Sequence, residues 1–226
     1  MASEGGRDGK PETRRPKSER RPKSETRIRG AAGLNVRILG FYQSRSKVDT
    51  LPNPWCLKNV PPLESPDAHY LLHAVGWIEL GNLAEATAEL DHISPELQVH
   101  PDVLEVRWLI CAEQKRWQEG LRVARVLLEQ APARASGWLH HAYALRRVPG
   151  GGLQQAWNAL LPASEKFPGL EIIAYNLSCY ACQMDELDTA RLWLKRALSI
   201  GDRERVKKRA LQDSDLAPLW EEIKRL

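Results

Sequence analysis

The chain reads as an all-α protein, a solenoid of stacked helix pairs, on three observations. Matching residues recur in columns: Leu83, Trp117, Leu153 and Leu187 in one, and Ala86, Gly120, Ala156 and Ala190 three places further on. Apolar residues keep helical spacing from Tyr70 onward, and strand-type alternation is absent. Proline and glycine fall where each helix of such an array has to stop. The column spacings are 34, 36 and 34 residues, and the excess of two sits at Gly150-Gly151-Gly152, where a loop absorbs it. A fixed period of this length marks supersecondary units that cannot bury their apolar faces alone and must stack.

Taken in order, residues 1–30 form a basic tail containing a short tandem, Arg14-Arg15-Pro16-Lys17-Ser18-Glu19 and Arg20-Arg21-Pro22-Lys23-Ser24-Glu25. It has almost nothing to bury, so it is expected to be disordered. Clustered Lys and Arg could serve as an arm for nucleic acid, although Glu12, Glu19 and Glu25 dilute that field. A start downstream, leaving this stretch out of the native chain, is another reading. Residues 31–66 are a Pro-rich linker (Pro52, Pro54, Pro61, Pro62, Pro66) carrying one apolar patch, Val36-Arg37-Ile38-Leu39-Gly40-Phe41-Tyr42.

Ser65-Pro66-Asp67 then opens the first helix, with proline in the first turn and an acid favoured by the helix dipole. That helix ends at Leu80-Gly81-Asn82, and a second runs from Leu83 to about Ile93, closed by Ser94-Pro95. The next pair spans Asp102 to Gln114 and Trp117 to Gln130; the third, Ser136 to Arg147 and Leu153 to Lys166; the fourth, Leu170 to Gln183 and Leu187 to Ile200. Arg203–Leu211 and Leu216–Leu226 read as a C-terminal capping pair, which an open stack requires. The organisation expected is therefore four repeats over 67–202 (67–100, 101–134, 135–169 and 170–202) and a cap over 203–226.

Charge divides along the same line. Residues 1–50 carry 13 Lys+Arg against 6 Asp+Glu, a net of +7, whereas the other 176 carry 20 against 23, a net of −3. The basic character belongs to the tail, and charge argues against a nucleic-acid partner for the folded part. No apolar run approaches a membrane span. Four cysteines in a chain of 226 residues make no disulfide framework, which suits a cytoplasmic protein.

The units resemble tetratricopeptide repeats (TPRs). The fourth carries Asn176-Leu177-Ser178, Leu187, Ala190, Leu194 and Ala197; the third, Trp138, Ala142, Ala156, Leu160, Ala163 and Pro168. The second fits through Trp117, Gly120, Leu128 and Pro132, and the first through Tyr70, Ala74, Trp77, Gly81, Leu83 and Ala86. Trp108 departs from the pattern, standing where the family has a small residue, so looser or shifted packing of units one and two is expected.

The resemblance implies a right-handed superhelix with a concave groove lined by the first helix of each pair, and a non-enzymatic module that binds a protein or peptide there. On that pattern the groove receives Leu71, Val75, Ile78 and Glu79 from unit one and Glu105, Leu109 and Glu113 from unit two. Unit three supplies Leu139, Tyr143, Arg146 and Arg147, and unit four Ile172, Tyr175, Cys179 and Cys182. Tyr143, Arg146, Arg147 and Tyr175 are the expected anchors, since aromatic and Arg side chains dominate binding hot spots. The clamp that holds chaperone carboxylates uses Lys and Asn where Leu71 and Val75 stand, which argues against that partner class.

Other constellations weigh less. Cys179-Tyr180-Ala181-Cys182 has the spacing of redox and metal sites, leaving a thiol-redox or metal function as the alternative. It lies mid-helix, however, away from the N-terminal dipole that activates a thiol, and no second ligand pair matches it. His69 and His73 lack the glutamate of a zinc protease motif, and the three glycines lack the Lys-Ser/Thr of a phosphate loop. No metal, cofactor or catalytic group is assigned.

Overall fold

The computed structural model describes residues 62–226; the expected disordered tail, and the linker up to residue 61 with its apolar patch, lie outside the described residues. The described residues contain no strand. Helices α1 (Asp67–Glu79) and α2 (Leu83–Asp91) are followed by a 3-10 turn at Pro95–Leu97. Then come α3 (Pro101–Glu113), α4 (Trp117–Gln130), α5 (Ala135–Leu145), α6 (Leu153–Lys166), α7 (Glu171–Gln183) and α8 (Leu187–Ile200). The chain closes with α9 (Arg203–Ala210), a 3-10 segment at Ser214–Leu219 and α10 (Trp220–Arg225).

Within each pair the small-residue column sits at the helix crossing, as its period implies. Ala86, Ala156 and Ala190 have no exposed surface, and Gly120 is buried with them. These residues let the second helix approach the first closely; in unit four, Ser178 Oγ on α7 donates to the Ala190 carbonyl at 2.8 Å across that contact. The units then stack: α1 touches α3, and α3 touches α5, so first helices form one layer. The largest core runs through units three and four and the C-terminal segment, while unit one builds a smaller core from Ala74, Ala86, Leu90 and Ile93.

Trp108 is not a looser joint. It is 1 % exposed, its ring lies over His140 at 3.9 Å and 9°, and it meets Tyr143 edge-on at 5.9 Å. A Cβ at Gly120 would stand 3.6 Å from Trp108 Nε1, in ordinary contact, so the column slot accepts a residue as small as alanine. The bulky residue on α3 is matched by the smallest residue on α4 and a flat ring on α5.

The turn inside each unit uses a left-handed residue at one repeated place: Gly81 (φ 77°), Lys115 (φ 57°) and Asp185 (φ 64°), with Gly150 (φ 75°) in the lengthened turn of unit three. Gly151 is fixed there for a different reason. A Cβ would fall 1.9 Å from the Leu145 carbonyl oxygen, which accepts from Gly152 N at 3.0 Å.

The helix start at Asp67 differs in detail from the dipole argument. Its carboxylate is buried and accepts from Ser94 N at 2.6 Å and Ser94 Oγ at 3.0 Å, tying α1 to the end of α2. The expected helix over 216–226 is instead a 3-10 segment followed by a six-residue α-helix. Pro218 has no N–H to donate to a helical ladder, and Trp220 Nε1 donates to the Ala210 and Asp213 carbonyls, bending the segment back.

Candidate partner-binding groove

The first-helix layer is open at one end and closed at the other. On α1, Val75 is 37 % exposed and Glu79 is exposed, while Leu71 and Ile78 are half-buried against the first core. On α3, Leu109 is half-buried beside Trp108, and burial pushes the half-buried Glu113 carboxyl above its ordinary range. On α5, Leu139 is half-buried against the large core. Glu105 is not at the surface: it is 1 % exposed, accepts from Ser136 Oγ at 2.5 Å, and pairs with Arg134, which also holds Asp102 at 2.5 Å. Burial alone would lower the Arg134 guanidinium, but the two carboxylates outweigh it and hold it above its ordinary value. This cluster bolts α3 to the start of α5.

At the other end two of the expected anchors, Tyr175 and Arg146, meet the chain's own C-terminal segment. Tyr175 has no exposed surface, and its hydroxyl donates to Asp213 Oδ2 at 2.9 Å. Arg146 forms a two-pronged pair with Asp215 at 2.5 and 3.2 Å. Arg147 lies 3.5 Å over the Tyr143 ring, with Tyr143 itself buried, and reaches the Trp117 ring at 5.1 Å. Ile172 is buried, and Gln183 donates to the Asp215 carbonyl at 3.1 Å. Every residue of α7 from Ile172 to Cys182 is buried. Of the four expected anchors, Arg146 and Tyr175 are thus held by the C-terminal segment, and Tyr143 and Arg147 pack on each other beside Trp117. The sequence reading missed Asp213 and Asp215, because they follow α9 outside the repeat. A signal was present in the row of small, soft residues Ser178, Cys179 and Cys182, since free cysteine is among the most buried residue types.

Cys179 and Cys182 are both buried, and burial, reinforced by Asp215, pushes the Cys182 thiol upward, away from the thiolate that redox chemistry uses. Cys179 Sγ lies 3.7 Å from Asp213 Oδ2, and donor atoms of Cys179, Asp213 and Asp215 come within 4.8 Å of one another. The Tyr175 hydroxyl and the Arg146 guanidinium already engage those carboxylates. Among the described residues no helix is long and apolar enough to cross a membrane.

A stack of paired helices with small residues at each crossing and a layer of first helices facing one way defines the class of this fold, that of tetratricopeptide-repeat proteins. Solved structures agree. TTC0263, a thermophilic TPR protein of Thermus thermophilus, superposes with a TM-score of 0.54 and 17% identity, over 70% of this chain and 95% of that one. A MamA RS-1 ArsTM double mutant gives 0.52 and 17%, over 67% and 80%. MamA AMB-1 gives 0.50 and 15%, over 71% and 91%. No protein-family model matches the sequence, and no curated protein matches it.

Proposed function

We propose that this chain is a non-enzymatic protein-interaction module of the cytoplasm that takes a peptide segment of a protein partner along the first helices of units one to three. The observation that carries this reading is the unequal burial of equivalent helices: α1 buries only Asp67 and Ala74, whereas α7 buries eleven consecutive residues. Leu71, Val75, Leu109 and Leu139 supply apolar contact along that layer, and Glu79 and Glu113 supply a carboxylate edge. A segment with alternate apolar side chains and a few cations fits such a surface, in an extended or helical form. Tyr143, Arg146, Arg147, Ile172 and Tyr175 support the far wall of the groove instead of gripping the ligand, given what already covers them.

The test is a selection of displayed random peptides on the full chain, followed by titration of the winners. Val75→Glu and Leu139→Glu are expected to weaken the selected peptides by tenfold or more, the scale of a hot-spot loss. Arg122→Ala, on an exposed site of α4, is expected to leave them unchanged. The reverse pattern would place the binding surface elsewhere.

A further inference from the structure

We propose that residues Val36–Tyr42 are a built-in ligand of the same groove, lying in cis against α1, α3 and α5; the inference rests on the groove reading above. Four observations converge on this occupant. The groove offers an apolar track, Leu71, Val75, Ile78, Leu109 and Leu139, with Val75 still 37 % exposed. Its carboxylates, Glu79 and Glu113, favour a cationic ligand. The segment has that chemistry: Val36, Ile38, Leu39, Phe41 and Tyr42 supply apolar side chains, and the flanking stretch from Arg27 to Lys47 holds five cations and no Asp or Glu.

Charge acts at longer range in the same direction. Residues 1–50 carry a net of +7 and the remainder a net of −3, so the folded part attracts its own N-terminal segment. The tether also suits the span. Twenty residues separate Tyr42 from Leu63, which packs on the first core beside Tyr70 and Leu71. A chain of that length can span at most about 70 Å. Three first helices packed side by side place α5 about 20 Å from α1. That reach exceeds the distance, and a tether long enough to span the sites makes binding intramolecular and raises the effective concentration of its ligand. The segment would therefore fill the groove in the isolated chain, and a protein partner would have to displace it.

The experiment places the photocrosslinking residue benzoylphenylalanine at Phe41 of the full chain, irradiates, and maps the products by mass spectrometry. Crosslinks within one molecule to 71–79, 109–113 or 139–147, independent of protein concentration, are expected. In a second arm, a labelled synthetic peptide of residues 33–47 is titrated onto the full chain and onto the full chain carrying Ile38→Asp and Phe41→Asp. The doubly substituted chain is expected to bind it at least tenfold more tightly, because its groove is no longer occupied.

Crosslinks to second helices, no crosslinks, binding to neither chain, or equal affinity for both would overturn the proposal. Crosslinks that form only between molecules and grow with concentration would assign the segment to a second copy, which also overturns it. The two readings fail separately. If the peptide affinities are equal while library-selected peptides still respond to Val75→Glu, only the cis ligand is lost. If selected peptides ignore Val75→Glu, the groove itself is lost.

Discussion

Helices α1 and α7 hold the same place in their units and are both rich in apolar residues, yet their surroundings are opposite. The first leaves Val75 37 % and Leu72 66 % exposed; the second exposes nothing between Ile172 and Cys182. The difference does not come from the repeat. It comes from the segment after α9, which carries Leu216 and Leu219 into the large core and lays Asp213 and Asp215 against Tyr175 and Arg146. A helix position inherited from a repeat fixes which face looks inward along the groove. Whether that face is binding surface or core is decided by what the rest of the chain brings to it.

The largest test of this contrast compares Leu216→Ala with Val75→Ala. Leu216 has no exposed surface, and removing its side chain leaves a cavity beneath the seal, so a loss of about 2–5 kcal/mol in chemical denaturation is expected. Val75→Ala, on the open helix, is expected to change stability by no more than about 0.5 kcal/mol. Equal effects would mean that the C-terminal segment does not seal α7, and the contrast would collapse.

A second test uses acid and probes the boundary between the open and sealed regions. His140 is 4 % exposed under the Trp108 ring, and burial pushes its pKa down to about 3 from 6.5. The folded state therefore binds no proton there between these values, while the unfolded chain does. The native state has its full stability above pH 6.5 and loses it as pH falls, by about 1.4 kcal/mol per pH unit for this one group. Glu113 acts in the opposite sense, since burial raises its pKa, but it is only half-buried and its share is screened. His140→Phe keeps a flat ring against Trp108 and removes the proton. It is expected to flatten the decline in stability between about pH 6.5 and 4.5, whatever its cost at pH 7. An unchanged slope would show that other groups carry the acid response.

Much of this was legible in the sequence, for reasons that differ by element. The column Ala86, Gly120, Ala156 and Ala190 announced the helix crossings because close approach admits only small side chains. The helices α4, α6 and α8 were read with their observed ends, since Pro132, Pro168 and Gly201 stop them sharply. Trp108 misled, because its fit depends on Gly120 and His140 together, one 12 and the other 32 residues away. Tyr143, Arg146, Arg147 and Tyr175 were read as an open groove surface, but Arg146 and Tyr175 are engaged by Asp215 and Asp213, which belong to no repeat. Periodicity carries information about contacts between units and none about a segment that folds back once.

The smallest expected effect lies in the turns that give both regions their shape. Units one, two and four each place one residue in the left-handed region: Gly81, Lys115 and Asp185. Only glycine takes this conformation without a steric cost from its Cβ, which for other residues is roughly 1–2 kcal/mol. Aspartate tolerates it better than lysine, since its short polar side chain bonds locally to the backbone. Lys115→Gly relieves the cost but gives the unfolded chain more freedom, roughly 0.4–1 kcal/mol in the other direction. The net expected is a stabilisation of up to about 1 kcal/mol for Lys115→Gly and a smaller one for Asp185→Gly. Gly81→Ala, by the same reasoning, should destabilise. Nothing lies within 4 Å of a Cβ at Gly81, so any loss there is conformational and not a clash. Measured by thermal unfolding of the three single variants, the order Lys115→Gly above Asp185→Gly above Gly81→Ala would show that the turns differ only in how well their residue suits one shared backbone shape. A destabilising Lys115→Gly would mean that the lysine side chain contributes more to unit two than its backbone conformation costs.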